Sequence, residues 1–210
     1  MKNEILYVLL PDFAEHEIAY LAEAINCDAQ GFKAEPKYVN RIVAADMEPV
    51  RSCGGFRVLP DYSFETMPEE YVALVLIGGF GWKTSLAEQV VPVVRDAVAH
   101  GRVVGGICNG ASFLAAHGFL NNVRHTGNGL GQLRHWGGAN YTGEHNYVHE
   151  QAVSDGGIVT ANGSAALEFA RELLLLLEND PVEAIEMYYQ FNKAGFCALF
   201  PGRTNDDRKE

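Results

Sequence analysis

The residue best placed to do chemistry in this sequence is Cys108. It lies in Gly106-Ile107-Cys108-Asn109-Gly110, where the apolar run from Arg102 to Ile107 stops and the helical pattern Ala111 to His117 begins at once. A strand that turns this sharply into a helix holds the bend residue in a strained backbone conformation, and flanking glycines let the two arms approach. The bend residue then projects from the carboxyl end of a sheet, at the first turn of a helix. Those are the mechanics of a nucleophile elbow, with cysteine where hydrolases often place serine. The positive end of the helix dipole is expected to favour the thiolate.

An elbow of this kind needs a sheet behind it. Glu4 to Leu10 is an apolar run of strand length closed by Pro11-Asp12, and Ile18, Leu21, Ala22 and Ile25 then recur with helical spacing up to a stop at Gly31. Lys37 to Val43 and Tyr71 to Ile77 read as strands, and Cys53-Gly54-Gly55 within Val50 to Pro60 points to a hairpin or a bulge. Ser85 with Glu88 has the form of a capping box for a helix ending near His100-Gly101, and Pro92 implies a kink or a later start. Between Leu120 and Asn146 the periodicity fails, which predicts a long loop with short elements. Tyr147 to Val153 and Gly157 to Ala161 read as strands. Asn162-Gly163-Ser164 opens a helix to Leu177, Asp180-Pro181 starts the last helix with Asp180 as its cap, and the charged stretch from Arg203 to Glu210 is expected to fray.

Strands alternating with helices over one domain of 210 residues predict a mainly parallel sheet covered on both faces. In such sheets ligands bind outside the carboxyl ends of the strands. Three loops leave strands there: Pro11 to Glu17, Gly78 to Trp82, and the Cys108 elbow.

Composition narrows the partners. Sixteen basic against 27 acidic residues give a net charge of −11, which repels a phosphate backbone, so nucleic acid is not an expected partner. No apolar run reaches membrane-spanning length, so no membrane partner is expected either. Met1-Lys2-Asn3-Glu4 runs straight into a strand and leaves no room for a signal peptide. The four cysteines form no CxxC pair and read as reduced thiols of a cytoplasmic protein, with Cys27, Cys53 and Cys197 as core or incidental thiols. His145 and His149 fall on a stretch read as strand, where residues four apart lie about 13 Å from each other, so no metal site is expected there.

Four motifs in order carry a family resemblance. They are Leu9-Leu10-Pro11-Asp12-Phe13 leading to Glu17, Leu76-Ile77-Gly78-Gly79, Gly105 to Gly110 around Cys108, and Thr160-Ala161-Asn162-Gly163 leading into Ala166 to Ala170. On these the chain resembles the ThiJ/PfpI superfamily, flavodoxin-like proteins related to class I glutamine amidotransferases and to Parkinson's disease protein 7. The resemblance implies a flavodoxin-like three-layer α/β sandwich, no cofactor, and a homodimer. It also implies a reactive elbow cysteine hydrogen-bonded by an acid from the loop after the first strand. Counting from Pro11, that acid is Glu17, not Glu15. Two like charges would repel, so a protonated Glu17 would donate to the sulfur and the pair would share one proton. The oxyanion and substrate positions implied are Gly78, Gly79, Asn109, Asn128 and Asn162, with main-chain N–H groups of Asn109 and of the Gly78-Gly79 turn as donors.

The sequence also departs from that pattern. Asn109 stands where peptidase-like members carry histidine. In His125-Thr126-Gly127-Asn128, Asn128 takes the place of another family histidine and His125 lies nearby, either as a pocket acid/base or as a loop surface residue. No His-x-Glu pair follows the last strand, which excludes a true amidotransferase. The expectation is a cysteine enzyme, hydrolase or lyase, acting on a small electrophilic carbonyl, amide or aldehyde. The alternative is a redox or electrophile sensor working through oxidation of Cys108. Trp82 and Trp136 either line the pocket or pack against loops.

Overall fold

The computed structural model describes residues 3–201, and the expected frayed tail lies outside them. In chain order the elements are β1 (Glu4–Val8), α1 (His16–Asn26), β2 (Cys27–Asp28), β3 (Gly31–Phe32), β4 (Val39–Ala44), β5 (Val50–Arg51), β6 (Arg57–Val58), β7 (Tyr62–Ser63) and β8 (Ala73–Leu76). There follow α2 (Val90–Ala99), β9 (Val103–Ile107), α3 (Asn109–Ala116), α4 (Leu130–Gly137), β10 (Ala152–Asp155), β11 (Ile158–Ala161), α5 (Ala166–Leu176), α6 (Val182–Ala194) and the single-turn α7 (Phe196–Leu199). Seven strands form one sheet in the order β10-β11-β9-β8-β1-β4-β7, parallel throughout except for β10 against β11. This is the mainly parallel, covered sheet that the alternation of elements predicts and the flavodoxin-like α/β sandwich that the resemblance implies.

Alternation along the central strands makes two cores. Ile5, Tyr7, Ala73 and Val75 face one side and pack with Leu21 and Ile25 of α1 and Phe169 and Leu173 of α5. Leu6, Val8, Leu74 and Leu76 face the other and pack with Val90 and Val94 of α2 and Phe113 and Leu114 of α3. Each residue of β1 and β8 is buried, because a strand covered on both faces has no solvent side.

Several boundaries differ from the sequence reading, each for a local reason. The first helix stops at Asn26, and the chain turns back through the short β2–β3 hairpin instead of running on to Gly31. No capping box forms at Ser85; residues 87–89 make a 3-10 turn and α2 starts at Val90, so Pro92 occupies its first turn and no kink is needed. The stretch after Leu120 holds a full helix, α4, whose buried Leu133 joins the α3 core. The strand expected from Tyr147 begins only at Ala152, and Tyr147 makes a single bridge to His125. Asp180 does not cap α6; its carboxylate takes Lys33 Nζ at 2.7 Å instead.

The elbow is held by close packing. A Cβ on Gly110 would lie 2.4 Å from the main-chain oxygen of Leu76, an atom fixed in the middle of the sheet. Alanine in a helix normally outranks glycine by about 1 kcal/mol. Here the sign reverses, and Gly110→Ala is expected to destabilise the fold by about 1–3 kcal/mol, read as a lower urea midpoint at unchanged slope.

Candidate active site

Cys108 is the residue between β9 and α3, and its φ of 57° is positive although it carries a side chain. Its main-chain N–H donates to Ala161 O at 2.9 Å, tying the bend to the end of β11. The elbow expected from the sequence is therefore present, with its strain.

Glu17 comes from the first turn of α1 and is 2% exposed. Its Oε2 accepts the Gly78 main-chain N–H at 2.7 Å, and its carboxyl hydrogen-bonds the Cys108 thiol. Two glycines show how tight this is. A Cβ on Gly78 would sit 2.6 Å from both Cys108 Cβ and Glu17 Oε2, and one on Gly163 would sit 2.8 Å from Cys108 Sγ and 3.4 Å from Glu17 Oε1. Glu15 stays apart and accepts the Gly54 N–H at 3.3 Å.

Asn128 completes the surroundings of the sulfur. Its Nδ2 donates to Cys108 Sγ at 3.3 Å, while its Oδ1 accepts the Gly163 N–H at 2.8 Å, so the amide orientation is set by the main chain. Asn109 does not face a ligand with its side chain: Nδ2 donates to Gly79 O at 2.7 Å and Oδ1 accepts from Gln132 Nε2 at 2.8 Å. Its main-chain N–H, however, points to the sulfur. Asn162 shapes the turn that presents Gly163, its Oδ1 accepting from Ser164 N and Oγ and its Nδ2 donating to Gln151.

The glycine turn divides its main-chain groups. Gly78 N–H is used on Glu17, Gly78 O accepts from Ala14, Gly79 O from Asn109, and Phe80 N–H donates to Asp12 O. Among the described residues the Gly79 N–H makes no hydrogen bond. Of the two expected donors in that turn, Gly78 is thus committed to the acid and Gly79 is left.

His125 is not brought to the sulfur, and it is not on the surface either: it is fully buried. Val123 O can only accept, so Nδ1 carries the proton and donates to it at 2.8 Å; Nε2 then accepts from the Tyr141 hydroxyl at 2.6 Å. Both nitrogens are used, and burial holds the pKa down. The ring has no lone pair left for a base at Cys108. The histidine that does reach the site is His16, in the first turn of α1; its Nε2–H donates to Gly163 O at 3.3 Å. Gly163 itself was visible as the opening of a helix and as the end of the fourth motif, not as a neighbour of the sulfur. Trp82 is core, its Nε1 donating to Ile77 O, and Trp136 lies under the Lys83 ammonium.

The electrostatics oppose a free thiolate. Burial pushes the Cys108 thiol up, the Glu17 charge adds to this, and the Asn128 amide and Asn109 N–H pull it down less strongly. Burial likewise raises Glu17 to about 7, against the Gly78 and Cys108 hydrogen bonds that lower it. Among the described residues no group of three or more His, Cys, Asp or Glu side chains could hold a metal, and no helix is long and apolar enough to cross a membrane.

With this geometry in view the relatives fall into place. Residues 3–176 match the DJ-1/PfpI family. The chain belongs to that family. It is 33% identical over 195 residues to "Uncharacterized protease YdeA" of Bacillus subtilis, covering 92% of this chain and 93% of that one. The solved DJ-1 superfamily protein Atu0886 from Agrobacterium tumefaciens shares 37% identity and superposes with a TM-score of 0.81 over 92% of this chain and 98% of its own. "Glutathione-independent glyoxalase DJR-1.2" of Caenorhabditis elegans is 27% identical over 62% of this chain and 69% of its own length.

Because Glu17 binds its proton more tightly in the folded chain, it favours the fold below pH 4.5, and that contribution is lost as the pH rises through about 7. The full loss is roughly 3 kcal/mol. Wild-type urea midpoints are expected to fall between pH 4.5 and 8 by more than those of Glu17→Gln, which keeps a neutral side chain throughout.

Proposed function

We propose that this chain is a cysteine-dependent enzyme acting on a small carbonyl, amide or aldehyde substrate, as a hydrolase or a glyoxalase-type lyase. The observation that carries the reading is the convergence of the Glu17 carboxyl and the Asn128 amide on the sulfur of a strained elbow. In the hydrolase form, the sulfur bonds to the substrate carbon while its proton passes to the Glu17 carboxylate. The oxyanion meets the N–H groups of Gly79 and Asn109. Protonated Glu17 then gives its proton to the leaving nitrogen or oxygen as that bond breaks, and the carboxylate next activates the water that releases the acyl group. A carboxyl titrating near neutral pH suits both directions of that transfer. The protease and glyoxalase names of relatives support the two reaction classes.

A second reading follows from Asn128 and His125. With an amide at the sulfur and the buried histidine fully bonded, Cys108 would serve as a redox or electrophile sensor. Family membership and an exposed apolar face on α6 around Met187 and Phe191 support a homodimer. Four free thiols support a cytoplasmic setting.

The deciding measurement is turnover of ester, amide and α-ketoaldehyde substrates. Cys108→Ala is expected to abolish it and Glu17→Gln to lower it by about 10²–10⁴-fold. Asn128→Ala is expected to slow iodoacetamide alkylation of Cys108 by about tenfold near neutral pH, since the thiol loses a stabilising donor. Turnover that persists in Cys108→Ala overturns the reading. Peroxide-dependent mass gain confined to Cys108, without turnover on any substrate, selects the sensor.

A further inference from the structure

All four residues of β11, Ile158, Val159, Thr160 and Ala161, are buried, yet one of them carries a hydroxyl, and Thr160 is fully out of water. Burying a hydroxyl costs free energy unless it is bonded. The bond here reaches far along the chain: Thr160 Oγ1 accepts the main-chain N–H of Thr126 at 2.9 Å. Thr126 is itself 1% exposed and is tied a second time, its Oγ1 donating to Glu150 O at 2.8 Å. Two residues further along the same segment stands Asn128, the amide that donates to Cys108 Sγ.

Consecutive residues of β11 therefore hold both partners of that contact. Ala161 O accepts the Cys108 N–H at 2.9 Å and fixes the elbow. Thr160, paired in register with Gly106 of β9, fixes the segment that carries the amide. Beyond the strand, Gly163 N–H donates to Asn128 Oδ1 at 2.8 Å and closes the ring. That last bond sets which end of the amide faces the sulfur, but it does not hold the main chain of Asn128 in place. Gly127 and Gly129 flank Asn128, and glycine lends its neighbours no stiffness. On the side of the sheet, the nearest fixed point before the amide is the tie at Thr126.

We infer that Thr160, with the Thr126 it holds, is a positioning residue for the reactive sulfur: the pair keeps the Asn128 amide on Cys108. The assignment rests on Asn128 acting on the sulfur, as read above, and holds whether Cys108 turns substrate over or is oxidised. The test follows iodoacetamide alkylation of the full-length protein against pH, read by mass on the Cys108 peptide, with the urea midpoint of each variant measured alongside. A donor to the sulfur favours the thiolate, and the thiolate is the form that alkylates. Thr160→Val keeps the branched shape and removes the acceptor. It is expected to slow alkylation near neutral pH by about three- to tenfold and to move the rate profile to higher pH, toward that of Asn128→Ala. Thr160→Ser keeps the acceptor and is expected to stay within about twofold of wild type. In the Asn128→Ala background, Thr160→Val is expected to add less than about twofold, because the amide it positions is gone. Should Thr160→Val not fold, Thr126→Val cuts the tie to Glu150 O and leaves β11 intact. It is expected to slow alkylation by about threefold, again only where Asn128 is present, and no slowing there overturns the assignment. A folded Thr160→Val with a lower urea midpoint but the wild-type pH profile makes Thr160 a packing residue and overturns it too. So does additive slowing in the Asn128→Ala background, or an Asn128→Ala protein that alkylates like the wild type. The expected alkylation pattern without turnover of any substrate leaves the positioning standing and removes the enzyme reading. Turnover with no effect of Thr160→Val on alkylation does the reverse.

Discussion

A carboxyl group kept out of water is the constraint around which this structure is arranged. Glu17 is almost fully buried at the carboxyl edge of the sheet, where an isolated charge would cost several kcal/mol. The chain meets that cost with one main-chain N–H from Gly78, one thiol from the elbow, and a carboxyl that titrates near neutral pH instead of near 4.5. Each comes from a different loop. The acid is therefore the point at which the ends of β1, β8 and β9 are joined, and the main chains follow: Ala14 donates to Gly78 O, Phe80 to Asp12 O, and the Asn109 side chain to Gly79 O.

The strain at Cys108 persists because the same packing leaves it nowhere to relax. A positive φ on a non-glycine residue costs of the order of 1–3 kcal/mol. Against that, α3 is pressed onto β8 through Gly110 and onto β9 through Gly106, with Leu114 and Phe113 filling the core beneath. On the other side Gly163 closes over the sulfur, held by Asn128 and His16. Relaxing the bend would require shifting the two layers that the cores fix. Thus the elements that look merely structural in the sequence are what set the geometry of one sulfur.

What could be read in the sequence and what could not divides along physical lines. The strand-to-helix bend was legible because glycine spacing and a switch from period-2 to helical patterning are local signals. Glu17 over Glu15 came from the family resemblance, by counting along one loop from Pro11. Asn128 was named through the resemblance, but its pairing across the site was not legible. Asn128 and Gly163 lie far apart in sequence, and nothing local says that the amide of one clamps the N–H of the other. His125 failed in both of its readings because its place depends on Tyr141 and Val123, and the irregular stretch around it carries no periodicity to indicate burial. His16 was missed for the opposite reason: an exposed first-turn position is ordinarily solvated, and only the tertiary approach of Gly163 gives it a partner. The helix α4 was hidden because glycines and polar residues dilute its one buried leucine.

The identity of the residues around the sulfur constrains any proton transfer there. Asn128 must present its NH₂ to the thiol, since its oxygen is held by the Gly163 N–H, and a carboxamide nitrogen donates but does not accept a proton. His125 is fixed as a neutral tautomer with both nitrogens bonded elsewhere. His16 is bonded to a main-chain oxygen and reaches the pair only through its field, which lowers Glu17 slightly. Among the described residues Glu17 is left as the one group hydrogen-bonded to the thiol that can both take and return its proton. A thiol and a carboxyl that are each raised by burial and repel as a doubly charged pair go from two protons to one as the pH rises through about 7. Chemistry at this sulfur, whether attack on carbon or oxidation by peroxide, is then governed by a dyad, and its pH dependence belongs to the pair and to neither residue alone.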